Sequence, residues 1–271
     1  MEQQIQHSII KKYRKQIWNR FIGALKDYRL INRGDRVAVC ISGGKDSFLL
    51  ACCIKELQLH SSVPFEAEYL VMDPGYKEEN LSLIRSNAAL MQLPVHIFQS
   101  PIFEVVSHAE TSPCYLCARM RRGYLYKEAQ KLGCNKIALG HHFDDVIETI
   151  LMSILYGGEF RTMMPKLHSK NFAGMELIRP LYLVREQDIL AWRNYNKLHF
   201  LQCACRLTEG TSNGTMDSAR KDVKELITQL RRKNPNIDSN IFRSAENVNL
   251  ETLIAYHDGS SSRSFLDIYD Q

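Results

Sequence analysis

No run of twenty apolar residues occurs in the 271-residue chain; "IETILMSILY", residues 147–156, is among the longest apolar stretches. That is about half the ~20 residues a membrane-spanning helix needs, so no membrane partner is expected. The amino-terminal "MEQQIQHSIIKKYRKQ" lacks the layout of a secretory leader, and a cytoplasmic location is the expectation. Internal repeats are absent. Neither sign of charge dominates: 35 Lys and Arg face 30 Asp and Glu, a net +5, which permits a nucleic-acid partner without requiring one. No cysteine precedes Cys40 or follows Cys205, and the eight present suit metal-binding or catalytic thiols better than a disulfide framework in a reducing compartment.

What is present is ordinary in bulk, 45% hydrophobic and 24% charged, and long enough to bury a sizeable core. Strand-like runs recur as "RVAVCIS", "EAEYLVMD", "VHIFQS", "KIALGH" and "MELIRPLY". Helix-length segments separate them: Ser47 to His60, Lys77 to Met91, Met120 to Leu132, and Asp145 to Tyr156. Strand alternating with helix predicts an α/β fold, a parallel twisted sheet with helices on both faces. Before this block, Ile10, Tyr13, Ile17, Phe21 and Leu25 have helical spacing. After it, "DSARKDVKELITQLRRKNP" reads as an amphipathic helix stopped by Pro235, and "GSSSRS" reads as a flexible tail. The expected division is an N-terminal helical segment, 1–33, a nucleotide-handling domain, 34–200, and a cysteine-containing helical extension, 201–271.

The first strand runs into Ser42-Gly43-Gly44-Lys45-Asp46-Ser47. Gly43 and Gly44 carry no side chain, so their N–H groups can approach an anion closely. The following helix adds its positive end, and Lys45 a full charge. A Walker A loop would need glycine where Val39 stands and Ser or Thr where Asp46 stands. The hexapeptide resembles instead the PP-loop of the ATP pyrophosphatases, which implies a grip on the β and γ phosphates and cleavage of ATP at the α-phosphate. An acid inside a phosphate nest is repulsive unless a cation intervenes, so Asp46 is expected to meet Mg²⁺. Met72, in "VMDPGY", stands where the family forms its adenosine pocket.

Cys114 and Cys117 form a C-x-x-C, and Cys203 with Cys205 a later C-x-C. Four thiolates make a closed zinc site; three hold a [4Fe–4S] cluster with one iron free. Spacing alone leans to zinc. Cys40, Cys52, Cys53 and Cys134 fall in strand or helix patterns and are expected as buried apolar residues. Arg119, Arg121 and Arg122 follow the first pair, as either a solvated face or contacts to RNA phosphate. His141 and His142 suit helix-start packing in isolation, but beside Asp144 and Asp145 at a strand's carboxyl end they suit a nucleotide site.

Taken together, the loop, C-x-x-C with "ARMRRGYLY", "GHHFDD", "YGGEFRTMMPKL" and "IRPLYLVRE" resemble the tRNA 2-thiocytidine synthetases over roughly residues 30–210. The resemblance implies a PP-loop, Rossmann-like fold. It also implies ATP-dependent replacement of the C2 oxygen of an anticodon-loop cytidine, position 32, by sulfur. ATP contacts are implied at Ser42 to Ser47, Met72, Gly140, His141 and Asp145, with Lys45, Asp46, Cys114 and Cys117 catalytic. The paired cysteines and one later cysteine would hold a [4Fe–4S] cluster whose open iron carries sulfide. Either Cys203 or Cys205 serves as third ligand, because family members often have C-x-x-C there. The implied partners are tRNA, a sulfur donor (sulfide or a cysteine desulfurase system) and, by family habit, a second copy of the chain. The competing readings are a related PP-loop enzyme, of 2-thiouridine or lysidine synthetase type, and a zinc-stabilised RNA-binding protein.

Overall fold

The computed structural model describes residues 2–107, 113–201, 215–259 and 261–269. They divide into two compact units, residues 1–146 with 163–218 and residues 147–162 with 219–271.

The first unit opens with α1 (Glu2–Ile10), a π-helical turn (Arg14–Trp18) and α2 (Asn19–Asp27). The sequence predicts one continuous helix here; instead the Tyr13 N–H reaches back five residues to the Ser8 carbonyl at 2.8 Å. That wide turn shifts the helical phase. Ile5 and Ile9 are buried before it, Ile17 and Phe21 after it, while Ile10 and Tyr13 are only partly covered.

The sheet follows: β1 (Arg36–Ile41), α3 (Lys45–His60), β2 (Glu66–Asp73), α4 (Glu78–Leu90), β3 (Val95–Gln99), α5 (Ile102–Ser107), α6 (Pro113–Lys131), β4 (Lys136–Ala138), α7 (Phe143–Leu155), β5 (Lys166–His168), β6 (Glu176–Ile178) and α8 (Glu186–Tyr195). Its six strands lie in the order β3-β2-β1-β4-β6-β5. All neighbours pair in parallel except β5 and β6, an antiparallel edge. The order runs outward from β1 both ways, so right-handed crossovers put α3 and α4 on one face and α6 on the other. Alternation along β1 agrees: Ala38 and Cys40 join Leu70, Ile137 and Leu177 in a core closed by Tyr126 and Ala129 of α6. The neighbours β1 and β4 thus form the topological switch point, where open sheets of this kind bind ligands beyond their carboxyl ends.

At the opposite, amino ends, Lys136 is 2% exposed and closes a network. It pairs with Asp35 at 2.9 Å and Glu176 at 3.0 Å, and donates to the Leu30 carbonyl at 2.9 Å.

The second unit contains α9 (Thr215–Lys233), α10 (Ile237–Ser244), a 3₁₀ turn (Leu250–Thr252), β7 (Ala255–Asp258), β8 (Ser261–Ser264) and α11 (Leu266–Tyr269). Within it Glu148 meets Arg220 at 3.3 Å and Lys224 at 3.5 Å. The expected flexible tail is corrected: residues 261–264 of "GSSSRS" pair antiparallel with β7. Short polar strands of this kind carry no hydrophobic alternation from which to be read. Among the described residues, no helix is long and apolar enough to cross a membrane.

Candidate active site

The Ser42–Ser47 loop sits at the switch point, directly after β1. Gly44 starts α3 with extended backbone and no side-chain cap, which leaves the helix end suited to an anion. The turn is tied from within: Ser47 Oγ accepts from the Ser42 N–H at 3.1 Å and donates to the Gly44 carbonyl at 2.9 Å. Gly43 has φ +92°, and a Cβ there would lie 2.6 Å from Leu201 Cδ1. The Leu201 N–H also donates to the Gly43 carbonyl, at 3.1 Å.

Lys45 Nζ donates to Asp46 Oδ2 at 3.1 Å and to Glu186 Oε1 at 3.0 Å. Burial pulls the ammonium pKa down, but the two acids outweigh it and hold Lys45 above its ordinary value, hence charged. The other Asp46 oxygen, Oδ1, is buried without a hydrogen bond, and His142 Nε2 stands 3.8 Å away. An incompletely bonded carboxylate oxygen beside a phosphate loop fits a hard cation such as Mg²⁺.

The two histidines divide the roles weighed for them. His142 starts α7 through a reciprocal cap: its N–H donates to Asp145 Oδ2 at 2.9 Å, and the Asp145 N–H donates to His142 Nδ1 at 3.4 Å. His141 and Asp145 line a cavity of about 540 Å³ with Ser42, Asp46, Met72 and Gly140. Asp144 is structural. Burial pushes its carboxyl pKa up, but the Glu186 N–H at 2.7 Å and Arg185 at 3.3 Å outweigh it and hold it below its ordinary value. That contact anchors the start of α8, and with it Glu186.

Arg121 and Arg122 line the same cavity, whereas Arg119 is simply exposed. Arg121 bonds Tyr76, whose hydroxyl donates to the Ser42 carbonyl at 3.5 Å. A second cavity, about 930 Å³, shares Ser42 and Asp46 and is lined by Lys45, Glu186, Arg193 and Lys197. Sequence reasoning assigned no chemistry to Tyr76, Arg179, Arg185 or Glu186. The last three lie inside the quoted "IRPLYLVRE", so the motif held the signal but not the geometry.

Cys117 is 8% exposed, packed with Met72, Ile102 and Phe103 near the carboxyl end of β2. A thiol there suits an iron–sulfur ligand. Cys114 stands one helical turn earlier on α6, and Cys203 and Cys205 lie outside the described residues. Among the described residues no group of three or more metal-ligating side chains forms. Cys40, Cys52, Cys53 and Cys134 are buried as expected. Burial pushes the Cys40 and Cys52 thiols up to about 12 and Cys134 to about 11, so these remain protonated packing groups.

A model of the PP-loop domain matches residues 7–210. The tRNA-cytidine(32) 2-sulfurtransferase of Coxiella burnetii is 36% identical over 241 residues, covering 88% of this chain and 91% of its own. That of Geobacter sulfurreducens is 35% identical over 237 residues, covering 86% and 90%. Among solved structures, the U34-tRNA thiolase NcsA from Methanococcus maripaludis, solved with its [4Fe-4S] cluster, superposes with a TM-score of 0.66 at 20% identity. It covers 87% of this chain and 79% of its own, a likeness of fold.

Proposed function

Because the chain belongs to the PP-loop family of tRNA-cytidine(32) 2-sulfurtransferases, we propose that it replaces the C2 oxygen of cytidine 32 in tRNA by sulfur at the expense of ATP. The supporting observation is the phosphate loop at the sheet's switch point, whose Ser42, Asp46 and Ser47 line one cavity with Met72, His141 and Asp145.

In this reading the Gly43 and Gly44 N–H groups and the start of α3 hold the β and γ phosphates. Lys45 neutralises charge on the departing pyrophosphate, and Asp46 holds Mg²⁺ through the oxygen that lacks a hydrogen bond. Main-chain groups at Met72 and Gly140 border the adenosine, with His141 and Asp145 beside it. The cytidine oxygen attacks the α-phosphorus; the new P–O bond forms as the bond to pyrophosphate breaks. Sulfide then adds at C2 and AMP leaves with the former carbonyl oxygen. Cys114, Cys117 and one of Cys203 or Cys205 would hold a [4Fe–4S] cluster, which when bound supplies an iron position for sulfide. Arg119, Arg121 and Arg122 serve the RNA backbone. Sulfide, free or passed from a cysteine desulfurase system, is the sulfur source, and the working unit is a cytoplasmic homodimer. Residues 34–200 carry the nucleotide chemistry, flanked by 1–33 and 201–271.

The test uses full-length protein purified without oxygen and supplied with ATP, Mg²⁺, sulfide and tRNA. Expected are a brown protein, AMP with pyrophosphate as products, and 2-thiocytidine in digested tRNA. Lys45→Ala should lower AMP formation by about 10²–10³-fold while leaving the protein folded. Cys117→Ala should bleach the protein and stop thiolation. Release of ADP and orthophosphate, or a colourless protein carrying one zinc, would overturn the reading.

A further inference from the structure

Arg179 follows β6 and is 8% exposed on the wall of the 540 Å³ cavity. Its Nη1 donates to the Met164 carbonyl, while its Nε is buried with no hydrogen-bond partner. Among the described residues no acid comes within ion-pair distance of it; Asp145 attracts its charge from further off, and the nearby charge of Arg122 opposes it. Burial lowers its pKa to about 10, so the guanidinium still carries its charge at neutral pH. A buried cation with no carboxylate bonded to it is costly, and an unsatisfied buried donor calls for a reason.

The cavity itself supplies one. Its carboxylates, Asp46 and Asp145, belong to α3 and α7; its guanidiniums, Arg121, Arg122 and Arg179, belong to α6 and to the end of β6. Across the sheet the order is β1, β4, β6, so the loop after β1 and Arg179 after β6 flank Gly140 and His141 after β4. A nucleotide whose β and γ phosphates occupy the loop has only its α-phosphate left to meet a cation on the β6 side.

We propose that Arg179 seats the α-phosphate of the bound nucleotide, the group that becomes the phosphodiester between AMP and the activated RNA oxygen. This deepens the function proposed above and rests on it. With Nη1 held by Met164, the guanidinium on the cavity wall is fixed before the phosphate arrives, as preorganised stabilisation requires. Arg179 is therefore a nucleotide-binding residue whose loss is felt at one phosphate and not at the base.

The probes are AMP and adenosine, titrated calorimetrically into the full chain and its Arg179→Lys and Arg179→Met variants. The wild type should bind AMP more tightly than adenosine. Arg179→Met should weaken AMP by about tenfold to a hundredfold, the range for one lost charge-assisted hydrogen bond, and leave adenosine within twofold. Arg179→Lys should recover part of the difference. Equal wild-type affinities for AMP and adenosine would overturn the proposal without any variant. So would variants that weaken both ligands alike, which marks a structural tie to Met164. An unchanged AMP preference with a shallower salt dependence of tRNA binding would assign the guanidinium to an RNA phosphate instead. Because neither probe involves RNA, a chain that thiolates no tRNA would fail the function and leave this test intact.

Discussion

Lys136 and Arg179 are both cations buried at ends of the same sheet, 2% and 8% exposed, yet their surroundings are opposite. Lys136, at the amino ends, is met by two carboxylates and a carbonyl within 3.0 Å. Arg179, at the carboxyl ends, has a carbonyl on one nitrogen and an unsatisfied Nε, and Asp46 nearby keeps an oxygen without a hydrogen bond. Removing a charge from water costs several kcal/mol unless its partners are in place. Where the fold supplies all the partners, the charge serves the fold. Where it withholds them, the charge is kept for an occupant that arrives later.

That contrast can be broken at its closed end with the largest effect. Lys136→Met strips the cation from Asp35 and Glu176, and urea denaturation should show a loss of about 3–5 kcal/mol. AMP formation per folded molecule should not change. At the open end the expected effects are on binding. Arg119→Ala with Arg122→Ala should weaken tRNA and flatten its salt dependence by about one unit of slope per lost phosphate contact. Unfolding midpoints should stay put, and an unchanged slope would return both arginines to the solvated surface.

The smallest effect sharpens the comparison from within the open end, where Asp144 is the closed exception. Its carboxyl pKa is held below the ordinary value, so the folded chain binds its proton less readily than the unfolded chain does. The stability this contributes is therefore present above the unfolded pKa and lost as pH falls through the folded one. Asp144→Asn should destabilise the protein at neutral pH and flatten the acid limb of its unfolding midpoint below about pH 4. Equal acid limbs in the two proteins would remove Asp144 from the account.

The sequence made β1 and β2 and their helices readable because they bury continuous or periodic apolar sets, whereas β3 and β4 were readable from the strand–helix alternation around them. The three-residue β5 offers no period, and the π turn at Arg14–Trp18 is invisible because it adds a residue without changing composition. α6 begins at Pro113, seven residues before the expected Met120, since "PCYLCAR" reads as a thiol motif before it reads as a helix. The phosphate loop was legible because its chemistry is contiguous. Arg179, Glu186 and Tyr76 were not, because each reaches one of the two cavities beside the loop from a different strand or helix end, and only the strand order decides which ends meet.

Gly140 holds one further lesson. A Cβ there would stand 3.0 Å from the Asp46 carbonyl carbon and 3.0 Å from the Ser47 nitrogen. The end of β4 therefore rests on the first turn of α3 main chain against main chain, with no rotamer between them to take up slack. Such a bearing surface sets the height of the phosphate loop over the sheet, where a reacting constellation must hold its alignment to roughly 0.5 Å. Any side chain at position 140 would act as a shim under the loop, lifting every phosphate ligand on it together.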